Sequence, residues 1–137
     1  MQDQPFTIDD PDYPLSGVMS RVIREYAHGP FKWRTVSPMG QVNIGVRRHV
    51  VVDMIVRTVL ESFAQWGCQE VSLEFDLSDD RSLVFLNYTG HDASTGLVDL
   101  SIINSIWRMT QHHGVTEMAA VLRGNDVQFR IEIRQFA

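Results

Sequence analysis

Between residues 15 and 26 the apolar positions are Leu15, Val18, Met19, Val22, Ile23 and Tyr26. They recur at i, i+3, i+4 and i+7, which places them on one side of a helix, and His28-Gly29-Pro30 ends the pattern. Residues 31–35 and 41–46 alternate as strands do, around a turn at Ser37-Pro38-Met39-Gly40. Over 48–66 the apolar residues include Val51, Ile55, Val59 and Phe63, an i, i+4 ridge that predicts a long helix stopped by Gly67. Val71, Leu73 and Phe75 alternate with polar residues in a strand over 70–77, joined through Ser78-Asp79-Asp80 to a second strand over 81–88. Residues 90–96 read as a short loop, and 98–112 as a third helix stopped by Gly114. Strands over 115–122 and 127–134 form a last hairpin about Arg123-Gly124-Asn125-Asp126.

Residues 1–14, with Pro5, Pro11 and Pro14, read as an irregular lead-in, which leaves 15–137 as one domain. Each helix has one apolar stripe and each strand one apolar face. Grouping the helices on one side of the sheet buries all of these at once. The expected fold is an α/β two-layer sandwich: a mixed, largely antiparallel sheet covered on one face by three helices.

Composition narrows the function classes. The 137 residues are 44% hydrophobic and 21% charged, which is ordinary for a globular domain. Only 12 Lys and Arg stand against 17 Asp and Glu, a net charge of −5, so no clustered basic surface for nucleic acid or membrane is expected. The single cysteine, Cys68, excludes an internal disulfide and any multi-cysteine zinc site. No run reaches the about 18 apolar residues of a membrane span, and no signal peptide is visible, so a cytoplasmic location is expected.

Candidate chemistry is sparse. Asp53, Arg57 and Glu61 are spaced i, i+4 and read as an ion ladder on one helix face. His112-His113 point about 100° apart on a helix, which does not suit a shared metal. His91, Asp92 and Ser94 have the residue types of a hydrolase triad, but one short loop cannot give them the separation a triad needs. Trp33, Trp66 and Trp107 read as core or interface anchors, Trp107 on a helix that would suit a protein partner.

The element order from about residue 15 resembles the GHKL ATPase fold, and within it the ATP-binding domain of sensor histidine kinases. Leu100-Ser101-Ile102-Ile103 is similar to that family's Leu-Ser-Ile-Val, and His113-Gly114 to the His-Gly that closes the same helix. The run Gly124 to Ile133 resembles the terminal Gly-x-Gly-Thr-x-Phe-x-Ile-x-Leu strand, and Pro5-Phe6-Thr7-Ile8 the segment after the dimerisation helices.

The resemblance implies a nucleotide site that can be checked position by position. The long helix should offer a polar ligand to Mg²⁺, usually Asn, and counting back from the next strand puts Glu61 there. The adenine-reading Asp-x-Gly-x-Gly aligns with Asn87-Tyr88-Thr89-Gly90-His91, where the Asn87 amide could still accept a hydrogen bond. The phosphate-cradling Gly-x-Gly aligns with Leu97-Val98-Asp99, leaving only Gly96 nearby, and Asp99 at the start of the helix reads as its capping carboxylate. Between Gly90 and Gly96 there is no room for the family's mobile lid, and Val127 replaces the Thr of the last hairpin. Glu61, Asn87, Gly90, Gly96 and Ser101 are thus expected as vestigial nucleotide-site positions.

The resulting expectation is a pseudokinase-like signalling module with lost or weakened ATP binding and no catalytic residue of its own. Its partners would be proteins, either dimerisation and phosphoacceptor helices or a response regulator. No cofactor is expected, except ATP and Mg²⁺ if the site survives. Two alternatives stay open: a divergent domain that still binds nucleotide, and an unrelated α/β adaptor with the same element order.

Overall fold

A computed structural model describes residues 13–37, 43–44, 46–80, 82–112 and 117–134. In chain order these form β1 (Tyr13–Pro14), α1 (Leu15–Glu25), β2 (Lys32–Val36), β3 (Asn43–Ile44), α2 (Val46–Gln65), β4 (Glu70–Leu77) and β5 (Leu83–His91). A 3₁₀ turn (Thr95–Leu97), α3 (Leu100–His112), β6 (Glu117–Arg123) and β7 (Asp126–Arg134) complete the order. The expected segment at Pro5–Ile8, the turn at 38–40 and the His113-Gly114 pair lie outside the described residues.

Five strands make one sheet in the order β2-β4-β5-β7-β6, parallel only between β2 and β4. Alternation decides which face is covered. Along β5, Val84, Leu86, Tyr88 and Gly90 are buried, whereas Leu83, Phe85, Asn87, Thr89 and His91 are half-buried on the other face. β7 continues the buried side with Val127, Phe129, Ile131 and Ile133. The three helices supply the second layer: Val18, Met19 and Val22 from α1, Val52 to Phe63 from α2 with Trp66 just after it, and Ile106 from α3. At its centre the Trp66 ring stacks on Phe129 at 6.1 Å, and Phe63 lies 5.7 Å from the same ring. The two-layer sandwich expected from the pattern is the architecture observed.

Three local expectations are corrected. The strands flanking the turn belong to different sheets: β2 joins the large sheet beside β4, and the two-residue β3 pairs with β1. Val46 already begins α2. Gly90 is not in a loop but inside β5, opposite Val71 and Val127. A Cβ there would stand 2.6 Å from Phe63 Cδ1 and 2.7 Å from Cys68 Sγ, so only glycine lets α2 approach the strand this closely. Gly67, by contrast, serves the helix end: it sits at φ +76°, and its N–H bonds back to the Ala64 carbonyl at 3.2 Å.

Candidate functional site

The Asp53, Arg57 ladder exists, but it runs to α1 rather than along α2. Arg57 Nε donates to Asp53 Oδ1 at 3.0 Å, and Arg57 Nη1 pairs with Glu25. Glu25 holds the Arg57 pKa above its ordinary value, and Arg57 holds that of Glu25 below. Arg21 approaches Asp53 at 3.7 Å. Glu61 makes no ion pair among the described residues and is exposed on the α1 side of α2. Burial and then the Glu61 charge push the Tyr26 hydroxyl upward, which marks the two as neighbours. On a helix turning about 100° per residue, the flank of α2 away from α1 carries Thr58 and Ser62 instead. Ser62 is buried, and its hydroxyl donates to the Thr58 carbonyl at 2.8 Å.

Asn87 lies in the middle of β5, opposite Glu74 and Arg130, with its side chain on the face of the sheet that the helices do not cover. It is therefore not brought together with Gly96 or Ser101, which belong to the helical layer. The strand instead ends at His91, and Asp92 follows at φ +59°, its N–H donating to Asp126 Oδ1 at 3.1 Å. Gly96 is exposed in the 3₁₀ turn, with open space where a Cβ would be.

Asp99 sits immediately before α3 and organises its first turn. Its Oδ1 accepts from the Ser101 N–H at 2.9 Å and the Ser101 hydroxyl at 2.7 Å. Its carbonyl accepts from the Ile102 and Ile103 N–H groups at 3.1 and 3.3 Å. The Ser101 donors hold the Asp99 carboxyl below its ordinary range. The helix start thus carries a fixed negative charge, with the Ser101, Ile102 and Ile103 amides already bonded.

His91 makes contacts the local sequence did not reveal. Its Nε2 lies 2.8 Å from Ser72 Oγ and its Nδ1 3.5 Å from Asp126 Oδ2. This is a Ser-His-Asp set, but drawn from β4, β5 and β7 rather than from Asp92 and Ser94. Arg34 Nη1 also stands 3.2 Å from Nδ1, while Arg34 Nε bonds Glu70 Oε1 at 2.6 Å. With Arg34 donating to Nδ1, the proton of a neutral ring belongs on Nε2, which then donates to Ser72 and cannot take its proton. The cluster is a polar clamp across the uncovered face.

A cleft lies on the β6 side of α3. It holds about 500 Å³, lined by Ile103, Asn104, Trp107, Met118 and Ala120. A neighbouring cleft of about 180 Å³ shares Ile103 and Ala120 and adds Val98, Val121, Leu122 and Val127. Their lining is apolar apart from Asn104, which suits contact with a protein better than phosphate chemistry. Trp107 is 45% exposed, Leu97 56% and Leu122 53%. No group of His, Cys, Asp and Glu able to hold a metal occurs among the described residues, and none of their helices is long and apolar enough to cross a membrane.

No family model matches the sequence, and no curated protein sequence is similar to it. Solved structures do match. The ATP-binding domain of PrrB from Mycobacterium tuberculosis superposes with a TM-score of 0.68 at 13% identity, covering 91% of this chain and 96% of that one. The blue-light activated histidine kinase EL346 of Erythrobacter litoralis gives 0.65 at 15% identity, covering 92% of this chain and 47% of that one. The Acinetobacter baumannii histidine kinase AdeS gives 0.62 at 8% identity, covering 91% and 66%. The chain thus spans less than half of EL346 and about two thirds of AdeS. At these identities the likeness is one of fold. With its three helices over a five-stranded mixed sheet, the chain has the fold of the histidine kinase ATP-binding domain.

Proposed function

We propose that the chain is a signalling module on the histidine kinase ATP-binding fold, in which nucleotide binding is lost or weakened and action runs through protein contacts. The carrying observation is Asp99. A helix start that binds phosphate offers free N–H groups and a positive dipole end. Here the Ser101, Ile102 and Ile103 amides are directed to Asp99, and its carboxylate repels a polyphosphate. Phosphotransfer to a histidine needs bound ATP, so the module does not phosphorylate by itself. Its partners are protein surfaces, a helical phosphoacceptor pair or a response regulator, reached from the cytoplasmic side.

Calorimetric titration with ATP and Mg²⁺ tests this reading. No binding tighter than about 1 mM, roughly −4 kcal/mol, is expected. Tighter binding overturns it. Asp99→Gly removes the charge and frees the Ser101 amide, so any residual affinity rises in that variant.

One observation favours a divergent but nucleotide-binding domain. Asp92, Ala93, Ser94, Thr95 and Gly96 follow the end of β5, so the family's adenine-reading turn falls on them better than on Asn87. If ATP does bind, Asp92→Ala abolishes it under this reading and Asn87→Ala leaves it unchanged.

A further inference from the structure

We propose that the outer edge of β6 pairs antiparallel with β6 of a second copy, Ala120 facing Ala120 across a twofold axis. β6 closes one side of the sheet, and among the described residues only β7 pairs with it. A seven-residue edge strand leaves every second N–H and carbonyl unpaired on that side. Protected edges are short, covered by a helix or loop, or carry a proline, a charge or a bulge. β6 reads Glu117-Met118-Ala119-Ala120-Val121-Leu122-Arg123, in unbroken register with β7, with charge only at its two ends.

The register follows from charge complementarity. Pairing about Ala120 sets Glu117 opposite Arg123 of the second copy, at both ends of the strand, and Met118 opposite Leu122. A shift of two residues sets Glu117 against Val121, or leaves it with no partner. Faces also agree. Met118, Ala120 and Leu122 lie on the helix side, opposite Ile131, Phe129 and Val127, and Ala119, Val121 and Arg123 on the other. The pairing covers Val121 and Leu122, which are 43% and 53% exposed, and extends the apolar lip of the groove at Met118.

Sedimentation equilibrium of the chain tests the proposal. The unmodified chain is expected as a reversible dimer. Glu117→Arg places like charges opposite each other twice per dimer and weakens association about tenfold or more. The same substitution faces Glu132 within its own hairpin, so thermal stability of the monomer holds or rises. Combining Glu117→Arg with Arg123→Glu restores association. Val121→Lys, within the strand between its charged ends, weakens it without involving either end charge. A chain that stays monomeric to millimolar concentration overturns the proposal. So does a dimer indifferent to Glu117→Arg, or a double reversal that fails to restore it.

Discussion

Where α1 meets α2, the helical layer is closed twice over: Arg57 ties Asp53 to Glu25, and beneath it Tyr88 donates to Met19 Sδ at 3.1 Å in a fully buried contact. Where α3 meets β6, the same layer is left ajar, with Trp107 45% exposed beside a cleft of about 500 Å³. One flank has spent its apolar surface on the core, and the other still presents it to solvent. The α1 flank serves stability, whereas the surface beside α3 stays apolar and open to solvent.

Truncation separates the two flanks most sharply. Met19→Ala empties a site that is 2% exposed and should cost about 2–5 kcal/mol in chemical denaturation. Trp107→Ala should stay within about 0.5 kcal/mol; equal losses would erase the contrast. Gly90→Ala tests the tightest approach in the layer and should cost about 1–3 kcal/mol, because the new methyl meets Phe63 and Cys68. Asp99→Ala removes the α3 cap and should cost about 1 kcal/mol, seen in thermal unfolding. Arg57→Ala should lose up to about 1 kcal/mol, shrinking as salt is added, since its partners are partly exposed.

A pH profile gives the smallest and most specific signal. Burial first, then the charges of Asp126 and Asp92, push the Cys68 thiol up from 9.0 to about 11. The fold therefore favours the protonated thiol, while the unfolded chain loses that proton from about 9 upward. This contribution is complete below pH 9 and is lost between about 9 and 11. The alkaline fall in stability should be shallower in Cys68→Ser; an identical slope would place the thiol outside the core.

The layer plan was legible because burial repeats: the strand expected over 70–77 has those bounds, and the ridge from Val51 to Phe63 lies in α2. The failures are those of parity and of glycine. Gly90 signals a loop in isolation, and only the distance to Phe63 explains why a strand continues through it. Asn87 falls at the end of the expected strand, but that strand in fact runs on to His91, and within it Asn87 faces away from the helices. Glu61 is one residue from Ser62, about 100° around α2. A motif aligned to within one residue fixes the element but not the direction of the side chain. The His91 clamp was hidden for a different reason, since Ser72, His91 and Asp126 are joined only by the sheet order.

That order has a bearing on how the molecule is made. β7, last of the described strands, lies between β5 and β6, so β6 is synthesised before the strand that holds it to the sheet. Until residues 126–134 arrive, Phe63 and Trp66 lack Phe129, and β6 offers two unsatisfied sides. Synthesis thus passes through a sticky, half-laid sheet, and a nascent chain stalled just before β7 would be a natural client for a chaperone.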